Sequence, residues 1–184
     1  KFIGKNNVSL ILGDNFFYGQ ALTPILKKCT KLKNGATVFL HAVKDPSSYA
    51  VAKVNNRNKI TKIVEKPKKP FSKHVVTGLY FFDNKVIEYS KNLKPSKRKE
   101  TEIVDLLNKY RKNNKLNAEF LGRGGAWLDT GSIEDFYKTS AFVSALENRQ
   151  GFKIACLEEI AYNYNWINKY KIKKAIKFYG NCSY

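Results

Sequence analysis

Methionine is absent from the 184 residues, only five are arginine and three cysteine. No apolar run approaches the roughly 20 residues that a membrane-spanning helix needs. These shortages exclude several classes of protein. The opening Lys1-Phe2-Ile3-Gly4-Lys5-Asn6-Asn7 lacks the apolar core of a secretory signal, so a cytoplasmic protein with no membrane partner is expected. The three cysteines, Cys29, Cys156 and Cys182, are odd in number and show no Cys-x-x-Cys spacing. That argues against a disulfide framework and a zinc site, and leaves reduced thiols as the simplest state. Internal repeats, low-complexity segments and a glycine-rich phosphate loop are also missing. With no initiator Met, the natural start is expected upstream of Lys1.

What is present can build a core. At 43% hydrophobic and 14% aromatic residues, the chain falls with globular rather than disordered proteins. The net charge of +19 raises a nucleic-acid reading, because lysine-rich surfaces bind phosphate backbones by releasing counterions. The excess is nearly all Lys, however, is spread along the chain, and is accompanied by 18 Asn. That pattern fits the bias of an A/T-rich coding sequence. A positive field equally attracts sugar phosphates and nucleotides, so charge does not choose between these partners.

Hydrophobic patterning alternates strand and helix. Val8 to Leu12 reads as a buried strand, the stretch near Phe17 to Cys29 as helical and interrupted or started by Pro24, and Ala36 to Val43 as a second strand. Tyr49 to Val54 and Lys59 to Val64 flank the turn Asn55-Asn56-Arg57-Asn58 as a hairpin. Val75 to Phe82 forms a long strand, followed by helices at Asn84 to Lys91 and Glu100 to Lys112 and a strand at Leu116 to Leu121. Ser132, with Asp135 three residues on, begins a helix to about Asn148 in capping-box fashion. The tail Cys156 to Tyr179 reads as helical, with Gly180 as its stop. Lys66-Pro67-Lys68-Lys69-Pro70 is a short loop. Residues 1–150 and 151–184 divide as a main domain and a helical extension.

Two acidic motifs stand out: Leu12-Gly13-Asp14-Asn15 and Ala126-Trp127-Leu128-Asp129-Thr130-Gly131. Each puts a carboxylate at or just past the end of an apolar run, where open α/β sheets hold ligands, and two such groups can share one Mg²⁺. Each is also what an ordinary turn or helix cap uses. Trp127 beside Asp129 suits the wall of a sugar site. Glu65-Lys66-Pro67 closes a strand: its carboxylate can accept from two hexose hydroxyls and its lysine can hold a phosphate, or both can be solvated charges. Thr77-Gly78-Leu79-Tyr80 places a glycine inside a strand, marking a bulge or a close approach by ligand or backbone. Arg98 precedes a helix, within reach of a phosphate or simply in solvent.

In order and spacing these motifs, with Asp45-Pro46 and Tyr49, Gly122-Arg123-Gly124 and Leu146-Glu147-Asn148-Arg149-Gln150-Gly151, closely resemble glucose-1-phosphate thymidylyltransferases. The resemblance extends through Ile154-Ala155-Cys156 and Glu158-Glu159-Ile160-Ala161-Tyr162. It implies a Rossmann-like α/β nucleotidyltransferase with a mixed sheet, incomplete at its N-terminal side, helices on both faces and a C-terminal helical region. It further implies dTTP and glucose 1-phosphate as substrates, dTDP-glucose and pyrophosphate as products, and a place at the first step toward dTDP-rhamnose and related cell-surface sugars. Full-length members are expected to be homo-oligomers. Asp14 and Asp129 would hold Mg²⁺, Glu65 the hexose hydroxyls and Lys66 the phosphate. Thr77, Gly78, Tyr80 and Trp127 would line the sugar pocket, with Arg98 near the phosphate.

Two departures qualify the match. Where the family has glycine after the tyrosine, this chain has Ala50, whose methyl is tolerated only if its φ is negative. The glycine-rich loop with its basic residue and the Lys-Pro segment that cradle the triphosphate and base have no counterpart in these residues. The chain alone is therefore expected to be weakly active or inactive. The alternatives are a noncatalytic sugar-phosphate-binding or oligomerisation fragment and, from charge, a basic nucleic-acid-binding domain.

Overall fold

The computed structural model describes residues 2–96 and 99–181, so Arg98 and Cys182 lie outside the described residues. The chain forms two compact units, Lys1–Gly131 and Ser132–Tyr184.

The first unit is built on β6 (His74–Phe82), whose nine residues are nearly all buried. A strand buried on both faces reads as a continuous apolar run, and Val75 to Phe82 fits that description. One edge of β6 pairs antiparallel with β3 (Ala36–Ala42), which in turn pairs parallel with β7 (Leu116–Phe120). The other edge is shared. Its first half meets β4 (Val51–Val54), with Val51 opposite Val75, and its second half meets β1 (Val8–Ile11), with Ile11 opposite Leu79. β5 (Ile60–Val64) completes the hairpin with β4. The Asn55–Asn58 turn closes through Asn58 N–H to Asn55 O, and Asn58 takes a left-handed φ of 55°. The sheet is mixed, as the family resemblance implied.

Alternation along β6 splits the core. Val76, Tyr80 and Phe82 pack on one face against Val104, Leu107 and Tyr110 of α3 (Ile103–Lys112) and Val86 of α2 (Val86–Lys91). Leu79 and Phe81 pack on the other, with Phe39, against Leu22, Ile25, Leu26 and Cys29 of α1 (Leu22–Cys29). Helices therefore cover both faces. Each fully buried side chain of this set contributes about 1.5–3 kcal/mol of transfer free energy.

Three sequence expectations are corrected. The segment Val8 to Leu12 is not buried: Leu10, Ile11 and Leu12 are 39%, 56% and 40% exposed, and β1 pairs, among the described residues, with β6 alone. An apolar run cannot by itself tell an interior strand from an edge. Phe17 and Tyr18 are not helical. They belong to β2 (Asn15–Tyr18), which pairs antiparallel with β8 (Ala126–Asp129) as a separate ribbon, and the helix starts only at Leu22 with Pro24 in its first turn. Cross-strand pairing overrides the local helical pattern there.

In the second unit, α4 (Ile133–Gln150) is capped by Ser132, whose hydroxyl oxygen accepts from Asp135 N–H at 3.1 Å, and ends at Gly151 with φ 73°. The third correction concerns the tail. It is two helices, α5 (Leu157–Asn163) and α6 (Lys169–Tyr179), broken where Asn165 turns left-handed and restarted where Asn168 caps Lys171 N–H.

Candidate active site

The edge of β6 shared by β4 and β1 leaves one gap, and the candidate site gathers there. Val76 N–H donates to Ala50 O at 2.8 Å on the β4 side, and Leu12 N–H donates to Gly78 O at 2.9 Å on the β1 side. Between them Gly78 N–H has no strand opposite it. A buried amide needs an acceptor, and it finds the side chain of Asn15, whose Oδ1 lies 3.0 Å away. A Cβ on Gly78 would sit 2.6 Å from Asn15 Cγ. Glycine in this strand thus marks the close approach of a side chain from β2.

The β2–β8 ribbon joins the two acidic motifs. Asn15 stands directly opposite Asp129 and Phe17 opposite Trp127. Thr130 donates to Asp14 O through both its N–H, at 2.7 Å, and its hydroxyl, at 2.9 Å. Asp14 and Asp129 are therefore one register step apart despite their distance in sequence. The Asp14 carboxylate is exposed and accepts from Asn15 Nδ2 at 2.7 Å, while Asp129 is half-buried and accepts from Gly131 N–H at 3.0 Å. Among the described residues no set of three or more His, Cys, Asp or Glu side chains forms a metal cage. Two hard carboxylates fit Mg²⁺ nonetheless, because that ion keeps several waters and takes one or two carboxylates plus substrate phosphates.

Trp127 is buried, and its Nε1–H donates to Asn15 Oδ1 at 2.6 Å. The Tyr49 ring meets the indole edge-on at 5.3 Å. Tyr49 O also accepts from Lys66 N–H at 3.1 Å, which ties the end of β5 to the start of β4. Lys66 is exposed and has a left-handed φ of 38°, uncommon for a non-glycine residue and a form of strain that clusters at functional sites. Glu65 and Lys66 border an open cleft of about 650 Å³ with Ser96, Glu102 and Asp105. Ala50 is absent from the positive-φ residues and packs in the core, so its methyl fits without backbone strain.

Tyr80 is buried and stacks on Phe82 at 6.0 Å. Burial pushes its phenol well above the ordinary tyrosine range, and the carboxylates of Glu65 and then Asp14 push it further. One phenol thus senses both acidic groups. Thr77 points to the opposite face, where its hydroxyl donates to Phe39 O at 3.0 Å beside the register shift in β3. The structure brings Asp14, Gly78, Trp127 and Asp129 together around Asn15, sets the Tyr80 phenol within the influence of Glu65 and Asp14, ties Lys66 to Tyr49, and buries Thr77 on the face of β6 where Val75 meets Trp127. Sequence reasoning assigns no role to Asn15 or Tyr49. The glycine inside β6 signals that something approaches closely but does not say what.

A split mixed sheet with helices on both faces and paired acidic loops at the split is an α/β arrangement that suits a nucleotidyltransferase. Comparison with known proteins agrees: the nucleotidyl transferase family model matches residues 1–145, and the chain belongs to that family. It is 46% identical over 174 residues to the glucose-1-phosphate thymidylyltransferase of Neisseria meningitidis serogroup A, covering 95% of this chain and 60% of the relative. It is 45% identical over 184 residues to the enzyme of that name from Neisseria gonorrhoeae, covering all of this chain and 64% of the relative. The chain thus spans about three-fifths of the curated relatives it matches. A Bacillus anthracis structure, described as a glucose-1-phosphate thymidylyltransferase in complex with sucrose, superposes with a TM-score of 0.68 at 41% identity, over 77% of this chain and 56% of its own. An apo UDP-glucose pyrophosphorylase shares the fold at a TM-score of 0.67 and 23% identity, over 80% of this chain and 57% of its own.

Proposed function

We propose that this chain forms the sugar- and metal-binding part of a glucose-1-phosphate thymidylyltransferase that makes dTDP-glucose and pyrophosphate from dTTP and glucose 1-phosphate. The observation that carries this reading is the β2–β8 ribbon, with Asp14 and Asp129 one register step apart beside Trp127. The names of the relatives support the substrate pair.

Asp14 and Asp129 would hold Mg²⁺, which when bound supplies neutralising charge to the phosphates of both substrates. Glu65 accepts hydrogen bonds from hexose hydroxyls, and Lys66 holds the sugar phosphate as a point charge. Thr77, Tyr80, Trp127 and the bare backbone at Gly78 line the sugar pocket. A phosphate oxygen of glucose 1-phosphate attacks the α-phosphorus in line. The bond to the β-phosphate oxygen breaks, and pyrophosphate leaves with its electron pair. No covalent enzyme intermediate is needed, and positioning supplies most of the rate. The full-length protein is read as a cytoplasmic homo-oligomer in the route to dTDP-rhamnose.

The test joins this chain to the part of the Neisseria gonorrhoeae relative that it does not span. The chimera is expected to release pyrophosphate only when dTTP and glucose 1-phosphate are both present. Glu65→Gln should then reduce kcat/KM for glucose 1-phosphate by roughly 10²-fold, because a charge-assisted acceptor is lost from a site built for hydroxyls. A folded chimera that turns over neither substrate, or a Glu65→Gln variant as active as its parent, would sink the reading.

A further inference from the structure

Asn15 occupies the centre of the site without having been given a task in it. Its amide makes three hydrogen bonds to three different parts of the site: Oδ1 accepts from Gly78 N–H at 3.0 Å and from Trp127 Nε1–H at 2.6 Å, and Nδ2 donates to Asp14 Oδ1 at 2.7 Å. The orientation of the amide follows from chemistry. Two of its neighbours are obligate donors and the third is a carboxylate, so only one of the two amide orientations satisfies all three. Gly78 supplies the room, since any Cβ there would overlap the amide.

We propose that Asn15 is the positioning residue that locks the Asp14 carboxylate and the Trp127 indole into one rigid unit, coupling the metal side of the site to its sugar side. Asn15 lies opposite Asp129, on the ribbon face that Trp127 shares by alternation. Drawing the Asp14 carboxylate onto its amide therefore holds that carboxylate toward the side of the ribbon where Asp129 stands. Outer-shell partners that orient a ligating carboxylate commonly change metal affinity by roughly 10–100-fold. The inference rests on the metal and sugar assignments above, but its geometric half is testable without either ligand.

The experiment uses the 184-residue chain and two readouts. The first is the pair of indole N–H signals in a ¹H–¹⁵N spectrum, which is simple because the chain has two tryptophans. The second is Mn²⁺ binding followed by electron paramagnetic resonance. In Asn15→Ala the Trp127 indole proton should shift upfield and exchange faster with solvent, and Mn²⁺ affinity should fall roughly 10–100-fold. Gly78→Ala, which leaves Asn15 in place but pushes its amide away, should reproduce both effects and serves if Asn15→Ala does not fold. An unmoved indole signal in a folded variant overturns the proposal, as does a moved indole with unchanged Mn²⁺ affinity. If the unaltered chain binds no Mn²⁺, the metal reading of the proposed function fails, and the indole signal alone decides whether Asn15 positions Trp127.

Discussion

Tyr110 donates its phenol to the buried carboxylate of Asp83 at 2.8 Å, fastening α3 to the end of β6. The same carboxylate accepts from Gly35 N–H at 2.6 Å and Lys85 N–H at 3.1 Å, so one acidic group joins the loop before β3, the start of α2 and the last turn of α3. Burial, then this hydrogen bond and the Asp83 charge, push the phenol far above its ordinary range.

Removing this carboxylate is expected to be among the most damaging single changes in the first unit. Asp83→Ala leaves the buried Gly35 amide without an acceptor and the buried phenol with only the backbone carbonyl of residue 83 at 3.5 Å, at about 3 kcal/mol, whereas Tyr110→Phe removes one charged hydrogen bond, at about 1.5–3 kcal/mol. Urea denaturation of the two variants measures this. A loss below about 1 kcal/mol in Asp83→Ala would show that water replaces the network.

The Cys29 thiol is pushed up to about 11, first by burial and next by the Glu119 carboxylate. A raised pKa means that the fold favours the protonated form. The contribution is therefore full below the unfolded value of 9.0 and is lost as pH rises through about 11. At pH 8, iodoacetamide should alkylate the half-buried Cys156 and spare Cys29 until the chain unfolds. Mass spectrometry of the labelled peptides decides this, and equal labelling in the folded state would contradict it.

Much of the scaffold is legible in the sequence, because β6, β7, α3 and the capped start of α4 each carry one strong periodicity or cap. What is not legible depends on partners distant in the chain. Nothing near Phe17 says that it will stand opposite Trp127, so a local helical pattern prevails until the ribbon is seen. Val8 to Leu12 is apolar whether it lies inside a sheet or at its margin, and only the count of neighbours distinguishes these. In the site, the carboxylates of Asp14 and Asp129 and the glycine in β6 are visible as residue types. The hub that joins them is one asparagine, a residue that any turn would also use.

The exposed margin has a measurable consequence. Leu10 and Ile11 of β1 and Leu12 just after it present exposed apolar side chains, and the outer edge of β1 has no partner strand among the described residues, a combination that invites pairing between chains. The 184-residue chain should self-associate at micromolar concentration, and Ile11→Lys should return it toward monomer in sedimentation velocity. Monomeric parent protein at high concentration would contradict this.

The glycine-rich cradle for a triphosphate has no counterpart in these residues, so the 184-residue chain alone is expected to form no dTDP-glucose under conditions in which the chimera turns over. Mg²⁺-dependent pyrophosphate release requiring both substrates would mean that a segment within these residues supplies the nucleotide contacts.

The most direct test is Mg²⁺-dependent turnover of the chimera carrying Asp14→Asn or Asp129→Asn, with folding verified by circular dichroism. If the two carboxylates share one ion, each variant should lose roughly 10³-fold in kcat, equivalent to about 4 kcal/mol of transition-state stabilisation. Either variant retaining the parent's kcat and its Mg²⁺ dependence would contradict the shared site.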